Sequence, residues 1–200
     1  RLADDHVRAK QILKTGELGR ILTFRTTFGH GGPEYWSMDK GLHTWFFKSK
    51  DAYVGTMGDL GVHKADLIRW LIDDEIDEVK AYISTLDKRN DKGDVVEVDD
   101  NAVCVLYSKS GIIGTLTASW TYYGDEDNST VLYCSNGVMR IYDNPEFPIV
   151  VTYKNREKVY YKVGKIQTND DQNASGVISM FINGIKQGKQ PEISGEEGLA

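Results

Sequence analysis

The residues best placed to do chemistry are Asp59 and His63, four apart in GDLGVHKADLIRWLI, with Asp66 three positions further on. On a helix, residues four apart share a face. A carboxylate beside an imidazole fixes the ring's tautomer and raises its basicity, which makes a general acid/base unit near neutral pH. The same spacing suits a helix-start aspartate beside a satisfied, partly buried histidine. A metal site on Asp59 and His63 is a third reading, for which the sequence places no third ligand. Upstream, residues 29–53 hold His30, Tyr35, Trp36, His43, Trp45, Phe46, Phe47 and Tyr53. Tryptophan and tyrosine beside polar groups suit a polyhydroxylated ligand, by stacking and hydrogen bonding. They equally suit a long loop pinned to the core. Gly29-His30-Gly31-Gly32 is not a dinucleotide turn: Glu34 takes the place of the third glycine, and no helix is expected to follow. There is no P-loop, no G-x-S-x-G and no H-E-x-x-H. The acidic run Glu97–Asp100 reads as a solvated turn before a strand, and Trp120, Tyr122 and Tyr123 read as packing residues at a strand end.

The elements around these residues read as follows. A helix over 4–15 can be capped by Asp4 or Asp5 and stopped by Gly16. A strand covers 20–28, then an irregular stretch covers 29–58. Stretches that long inside a domain are usually either functional or wrongly read, and the functional reading is favoured here. A helix over 59–72 puts Leu60, Leu67 and Leu71 on one side, with Asp59, His63, Asp66 and Trp70 in a second stripe. From residue 77 the pattern is strand after strand: 78–85, alternating; 101–108, nearly continuous apolar, as for a strand covered on both faces; and 112–120, alternating. In the last of these, Ile112, Leu116, Ala118 and Trp120 face one way, and Ile113, Thr115, Thr117 and Ser119 the other. TVLYCS and VMRIYD flank Asn136-Gly137, a hairpin dipeptide, and IVVTYK and KVYYKV flank Asn155-Arg156-Glu157. This is an antiparallel meander, not a series of βαβ units. A helix over 171–187 carries the apolar stripe Ala174, Val177, Ile178, Phe181, Ile182 and Ile185, with Gly188 to stop it. Ser194-x-x-Glu197 is a capping box that opens a further helix, yet the chain ends at Ala200, fewer than two turns later, and it begins at Arg1. The expectation is a chain cut from a longer protein.

The 200 residues suffice for one domain with a sizeable core. With 40% hydrophobic and 27% charged residues, the composition is that of a folded soluble domain. A formal net charge of -6 gives no footprint for nucleic acid or an anionic membrane, and no apolar run is long enough to span a bilayer. Cys104 and Cys134 sit in strand-like apolar runs and read as buried thiols, which points to a reducing compartment, by default the cytoplasm.

The segment GTMGDLGVHKADLIRWL resembles the Gfo/Idh/MocA oxidoreductases, whose pattern is a glycine run followed by D-x-G-x-H-x-x-D-L; Asp59, Gly61, His63, Asp66 and Leu67 match it. The likeness continues in order through AKQILKTGELGRI, Trp45, VDDNAVCVLYSKSGIIGTLTASW, CSNGVMRIY and FINGIKQGKQPEISGEEGL. The resemblance implies an α+β fold: a large, mainly antiparallel open sheet with helices packed on one face. It implies a substrate-binding and oligomerisation domain over 1–200 that follows an amino-terminal nucleotide-binding domain, here absent along with its catalytic lysine. The reaction implied is NAD- or NADP-dependent oxidation of a secondary hydroxyl on a sugar, polyol or derivative. His63 would be the general acid/base, and Asp59 would orient substrate or imidazole. Trp36, His43, Trp45 and Tyr53 would contact substrate, and Gly55 would lie on the cofactor side, with no metal. One departure stands out. The usual three glycines are Tyr53-Val54-Gly55 here, which keeps open a non-catalytic sugar-sensing or assembly module on the same fold. A metal-dependent lyase or isomerase is a further alternative. The Thr115, Thr117 and Ser119 face of the sheet leads to the expectation of a homodimer, or a larger homo-oligomer, through that surface.

Overall fold

A computed structural model describes residues 1–162, 177–191 and 193–199. Eight strands form one sheet: β1 (Ile21–Gly29), β2 (Ile76–Ser84), β3 (Asn101–Ser108), β4 (Ile113–Ser119), β5 (Thr130–Cys134), β6 (Gly137–Ile141), β7 (Ile149–Tyr153) and β8 (Lys158–Tyr161). Their spatial order is β2-β3-β4-β1-β5-β6-β7-β8. Most pairs are antiparallel neighbours in sequence, as the hairpin signals predict. The meander is broken once: β1 lies in the middle of the sheet, parallel to β4 and antiparallel to β5. Turn residues specify local hairpins, but nothing local tells the first strand to insert between the fourth and fifth.

Helices α1 (Asp4–Lys14) and α4 (Val62–Ile72) cover one face of this sheet. Asp4 and Asp5 occupy the first turn of α1 and complement its dipole, while Ala3 takes the cap position without a side-chain bond. Leu60, Leu67, Ile68 and Leu71 are buried against Leu116, Ala118, Cys104, Leu106 and Leu132 in a single core. On β4 and just past its end, Leu116, Ala118 and Trp120 point into that core, while Ile113 is exposed. Ser119 departs from the expected face-by-face reading. It is fully buried and donates to Asn101 Oδ1 at 2.8 Å.

Two strands differ from expectation. β3 is covered on one face only: Ala102, Cys104, Leu106 and Ser108 are buried, while Val103, Val105 and Tyr107 are exposed. β2, the edge strand, is exposed over nearly its whole length on both faces. The stretch 29–58 is not irregular throughout. It contains α2 (Pro33–Trp36), a 3₁₀ turn at Trp45–Phe47, α3 (Ser49–Ala52) and the start of a π-turn at Met57–Gly61, which runs directly into α4. A short helix therefore does follow Gly32, though its four residues offer no phosphate cradle. The 171–187 expectation is met where it can be seen, as α5 (Val177–Gln187), with Gly188 at φ 61 closing it. Its start, including Ala174, lies outside the described residues. Along α5, Ile178, Phe181 and Ile185 are exposed. Ser194 Oγ accepts from the Glu197 N–H at 3.3 Å at the start of α6 (Gly195–Leu199), as the capping box predicts.

The acidic run before β3 is structural. Asp100 is fully buried, and its carboxylate accepts the backbone N–H groups of Leu86, Asp87 and Lys88, each at 2.8 Å. Burial alone would raise its pKa, but these donors and the Asn101 amide hold it below the usual carboxylate range. Asp100→Ala leaves the three N–H groups without their acceptor and should cost about 3 kcal/mol in denaturant unfolding. A carboxylate with a lowered folded pKa stabilises fully above its ordinary pKa and loses that contribution as pH falls through the folded value. The stability gap between wild type and variant should therefore narrow in acid and hold constant toward neutrality. A gap independent of pH would remove Asp100 from this role.

Candidate active site

The carboxyl ends of β1 and β4 meet at one edge of the sheet, because the two strands run in parallel with Gly29 opposite Ser119. The residues just beyond them, His30 and Trp120, lie beneath the start of α4. There the backbone widens into the π-turn Met57–Gly61, which carries Asp59. Single π-turns of this kind recur at functional sites, because the extra residue re-aims side chains. The turn is held from outside. Asp99 accepts the N–H groups of Gly55 at 2.9 Å and Met57 at 2.8 Å through its carboxylate, and that of Thr56 at 2.8 Å through its carbonyl. These are the free donors of a helix start, capped by a residue more than forty positions away.

Asp59 is partly buried, and its Oδ2 accepts the Trp120 indole N–H at 3.0 Å. Burial pushes its carboxyl above the ordinary aspartate value, while the indole donor and the nearby His63 pull the other way. His63, one turn on, is exposed. The two side chains are close enough to interact electrostatically, but the hydrogen bond of Asp59 goes to the indole.

Aromatic rings form a wall beside this pair. Phe28, at the end of β1, touches both His63 and His30, with ring centroids at 6.2 and 5.9 Å. His30 meets Trp36 edge-on at 5.9 Å, Trp36 meets Phe46 at 5.0 Å, and Trp45 lies against Phe46 at 4.0 Å. Phe46 in turn faces Trp120 at 6.4 Å. His30 is held neutral: burial, with the Lys88 charge, lowers its pKa to about 4. Its Nδ1 accepts the Gly32 N–H at 3.1 Å.

Of the residues singled out in the sequence, Asp59, His63, Trp36 and Trp45 come together here. His43 and Tyr53 are exposed, with no side-chain hydrogen bond or ring contact to the cluster. Gly55 is buried, and a Cβ there would lie 1.9 Å from the Asp99 carbonyl oxygen. Its lack of a side chain is therefore demanded by packing. Sequence reasoning passed over Phe28, Asp99 and the indole of Trp120, and put His30 among the loop aromatics without a place in the site. The only sequence signal for Trp120 was its position at the end of a clean alternation; for Asp99 there was none. Among the described residues, no group of three or more His, Cys, Asp or Glu side chains is arranged to hold a metal ion. No helix among them is long and apolar enough to cross a membrane. A cavity of about 470 Å³ lined by Leu13, Arg20, Leu71, Asp73 and Gly111 opens at the opposite edge of the sheet and takes no part in the site.

The family model for the GFO/IDH/MocA C-terminal domain matches residues 6–140. The chain belongs to the Gfo/Idh/MocA family. Levoglucosan dehydrogenase of Pseudarthrobacter phenanthrenivorans is 27% identical over 170 residues, covering 76% of this chain and 40% of that protein. Myo-inositol 2-dehydrogenase of Thermotoga maritima is 27% identical over 150 residues, covering 72% and 42%. This Gfo/Idh/MocA chain thus spans about two fifths of the length of these curated relatives. Among solved structures, an oxidoreductase domain protein from Kribbella flavida superposes with a TM-score of 0.78 at 17% identity, over 100% of this chain and 59% of that one. Levoglucosan dehydrogenase in complex with NADH and levoglucosan gives 0.75 at 23%, over 95% and 56%. These likenesses establish the family's open-sheet fold for the chain.

Trp120→Phe keeps an aromatic ring in the core and deletes the indole donor to Asp59. The Asp59 carboxyl should then titrate at a still higher pH in carboxyl-carbon NMR, with a loss of about 1–3 kcal/mol in unfolding free energy. An unchanged Asp59 titration would show that the indole does not set its charge.

Proposed function

We propose that this chain is the substrate-binding and catalytic-residue-bearing part of a longer NAD(P)-dependent dehydrogenase acting on a secondary hydroxyl of a sugar, a polyol or a derivative of one. The observation that carries this reading is the exposed His63 beside the partly buried Asp59, at the rim of a wall made by Phe28, His30, Trp36 and Trp45. Levoglucosan and myo-inositol, named by its two relatives, are both polyhydroxylated rings.

The residues present suit the reactive end of a nicotinamide nucleotide and not its phosphates. The rim offers an imidazole, a carboxylate and the exposed Val54 and Val62, with no glycine-rich phosphate turn. NAD or NADP, bound mainly by a preceding domain, would exchange the hydride; Gly55 stands on the cofactor side of the site. His63 accepts the hydroxyl proton at an imidazole nitrogen as the carbonyl forms, and returns it in the reverse direction. Asp59, fixed by the Trp120 indole, orients the substrate hydroxyl or the imidazole. Trp36 and Trp45, both exposed on this wall, would stack against the carbon-bound hydrogens of a sugar ring, and His43 and Tyr53, exposed at the loop surface, would add further contacts to it. A lysine of the preceding domain completes the site.

We also propose that the uncovered sheet face makes a homodimer or larger homo-oligomer. Val103, Val105, Tyr107 and Ile113 lie on it side by side across β3 and β4, each at least two fifths exposed. A contiguous apolar patch of that kind marks an interaction surface. The two buried, unpaired cysteines support a cytoplasmic setting.

The full-length protein should reduce NAD or NADP with some member of a panel of polyols and sugars, and His63→Ala should lower kcat/KM by about a hundredfold or more. Equal rates in both proteins would take His63 out of the mechanism. Absence of activity from a folded, nucleotide-bound protein would move the function to sugar sensing or assembly, the reading that Tyr53-Val54 in place of two family glycines favours. In light scattering, Val105→Lys should shift the assembly toward monomer; a wild type that is already monomeric would overturn the interface.

A further inference from the structure

Lys64 is the residue next to His63, and it is among the most deeply buried side chains in the molecule, 1% exposed. Buried ammonium groups are rare and costly unless their donors are used. Here Nζ donates to the Asn128 carbonyl at 2.8 Å and reaches Thr130 Oγ1 at 3.4 Å. It also sits 5.8 Å from the centre of the Phe28 ring, the ring that touches His63. Lys64 therefore bridges three elements: α4, the end of β1 and the loop 120–129 between β4 and β5. That loop also borders the site. Asp127 exchanges both backbone hydrogen bonds with Gly29, and the Tyr122 ring lies directly over Gly29, next to His30.

Resting on the dehydrogenase reading, we propose that Lys64 is a positioning residue. By clamping the 120–129 loop and backing Phe28, it fixes the turn of α4 that presents His63 and fixes the Phe28 wall against the imidazole. A neutral apolar side chain of the same length would fill the space but release the loop. The clamp also carries a charge. The groups that face the amine are His6 from α1, and Glu126 and Asp127 from the loop. Burial draws its pKa down to about 7, against the pull of Asp127 and Glu126. The neutral amine can still donate to Asn128, so the loop stays clamped above neutrality, but the attraction to the Phe28 face and the two carboxylates is then lost.

The test compares the full-length protein with Lys64→Met and with Lys64→Gln, which keeps an N–H donor without the charge. Amide hydrogen exchange read by mass spectrometry should rise about tenfold or more in peptides from 120–129 and from 57–64 together in Lys64→Met, a loss of local opening free energy within the range of one broken charged hydrogen bond. Per folded molecule, kcat should fall about tenfold to a hundredfold, with KM moved far less, as expected for a misplaced catalytic group. Lys64→Gln should regain most of the exchange protection and much of the lost kcat; if Lys64→Met does not fold, this variant carries the test by a smaller loss of kcat at nearly unchanged KM. Faster exchange confined to 120–129, with unchanged turnover, would reduce Lys64 to a fold staple and overturn the proposal. If the wild type turns over no substrate, the dehydrogenase reading fails, and the coupled or uncoupled exchange of the two segments still decides whether Lys64 sets the His63 turn.

Discussion

Asp99 and Asp100, side by side just before β3, hold both partners of the hydrogen bond at the centre of the site. The Asp99 carboxylate caps the π-turn that carries Asp59. The Asp100 carbonyl accepts the Trp120 N–H at 2.9 Å and so fixes the residue whose indole reaches Asp59. Asp99 serves the loop leading into α4 while Asp100 gathers Leu86, Asp87 and Lys88. Glu97 extends the same device by accepting the N–H and hydroxyl of Ser49. The region 29–58 thus needs little regular structure of its own, because carboxylates on another part of the chain satisfy its backbone.

The same strand arrangement separates two kinds of acid. Asp100, with three backbone donors, is held ionised, whereas Asp59, with a single indole donor and a partly buried site, is pushed toward its neutral form. Different environments thus let one scaffold hold one carboxylate charged and push another toward its neutral form. The parallel pairing of β1 with β4 makes this possible. It brings the ends of two strands distant in sequence, Phe28–His30 and Ser119–Trp120, to one edge under a single helix start. An antiparallel pairing would have sent one of them to the far edge, where the cavity lined by Leu71 and Gly111 lies.

Much of this was legible in the sequence because it is local. Hairpins, helix stops at Gly16 and Gly188, the buried stripe Leu60-Leu67-Leu71 and the Asp59/His63 spacing all follow from neighbours along the chain. What escaped was long-range. The insertion of β1 has no signal in turn chemistry. The acidic run looked solvated because charge usually is; only the fold shows that its acceptors meet orphan backbone donors. The apolar face of β3 was read as covered on both sides, since Val103, Val105 and Tyr107 look like core. In this chain they are surface, and composition alone cannot tell a buried apolar face from an exposed one.

The altered glycine run can be judged by what each position demands. Gly55 is retained, and it is the one position where the Asp99 backbone leaves no room for a Cβ. At Tyr53 the chain still turns through positive φ, at 63°, a conformation easy for glycine and costly for a bulky residue. The backbone path of a glycine has thus been kept with a tyrosine on it, and the ring is directed into solvent. Val54 packs its methyl groups over Gly58, filling space that a glycine at 54 would leave open, and so braces the turn that carries Asp59. Where the family resemblance leads one to expect two glycines, Val54 adds a contact over Gly58 and Tyr53 presents its ring to solvent. Tyr53 and Val54 thus shape the surface beside Asp59 and His63, while the geometry of the pair itself is set by Asp99, Asp100 and Trp120.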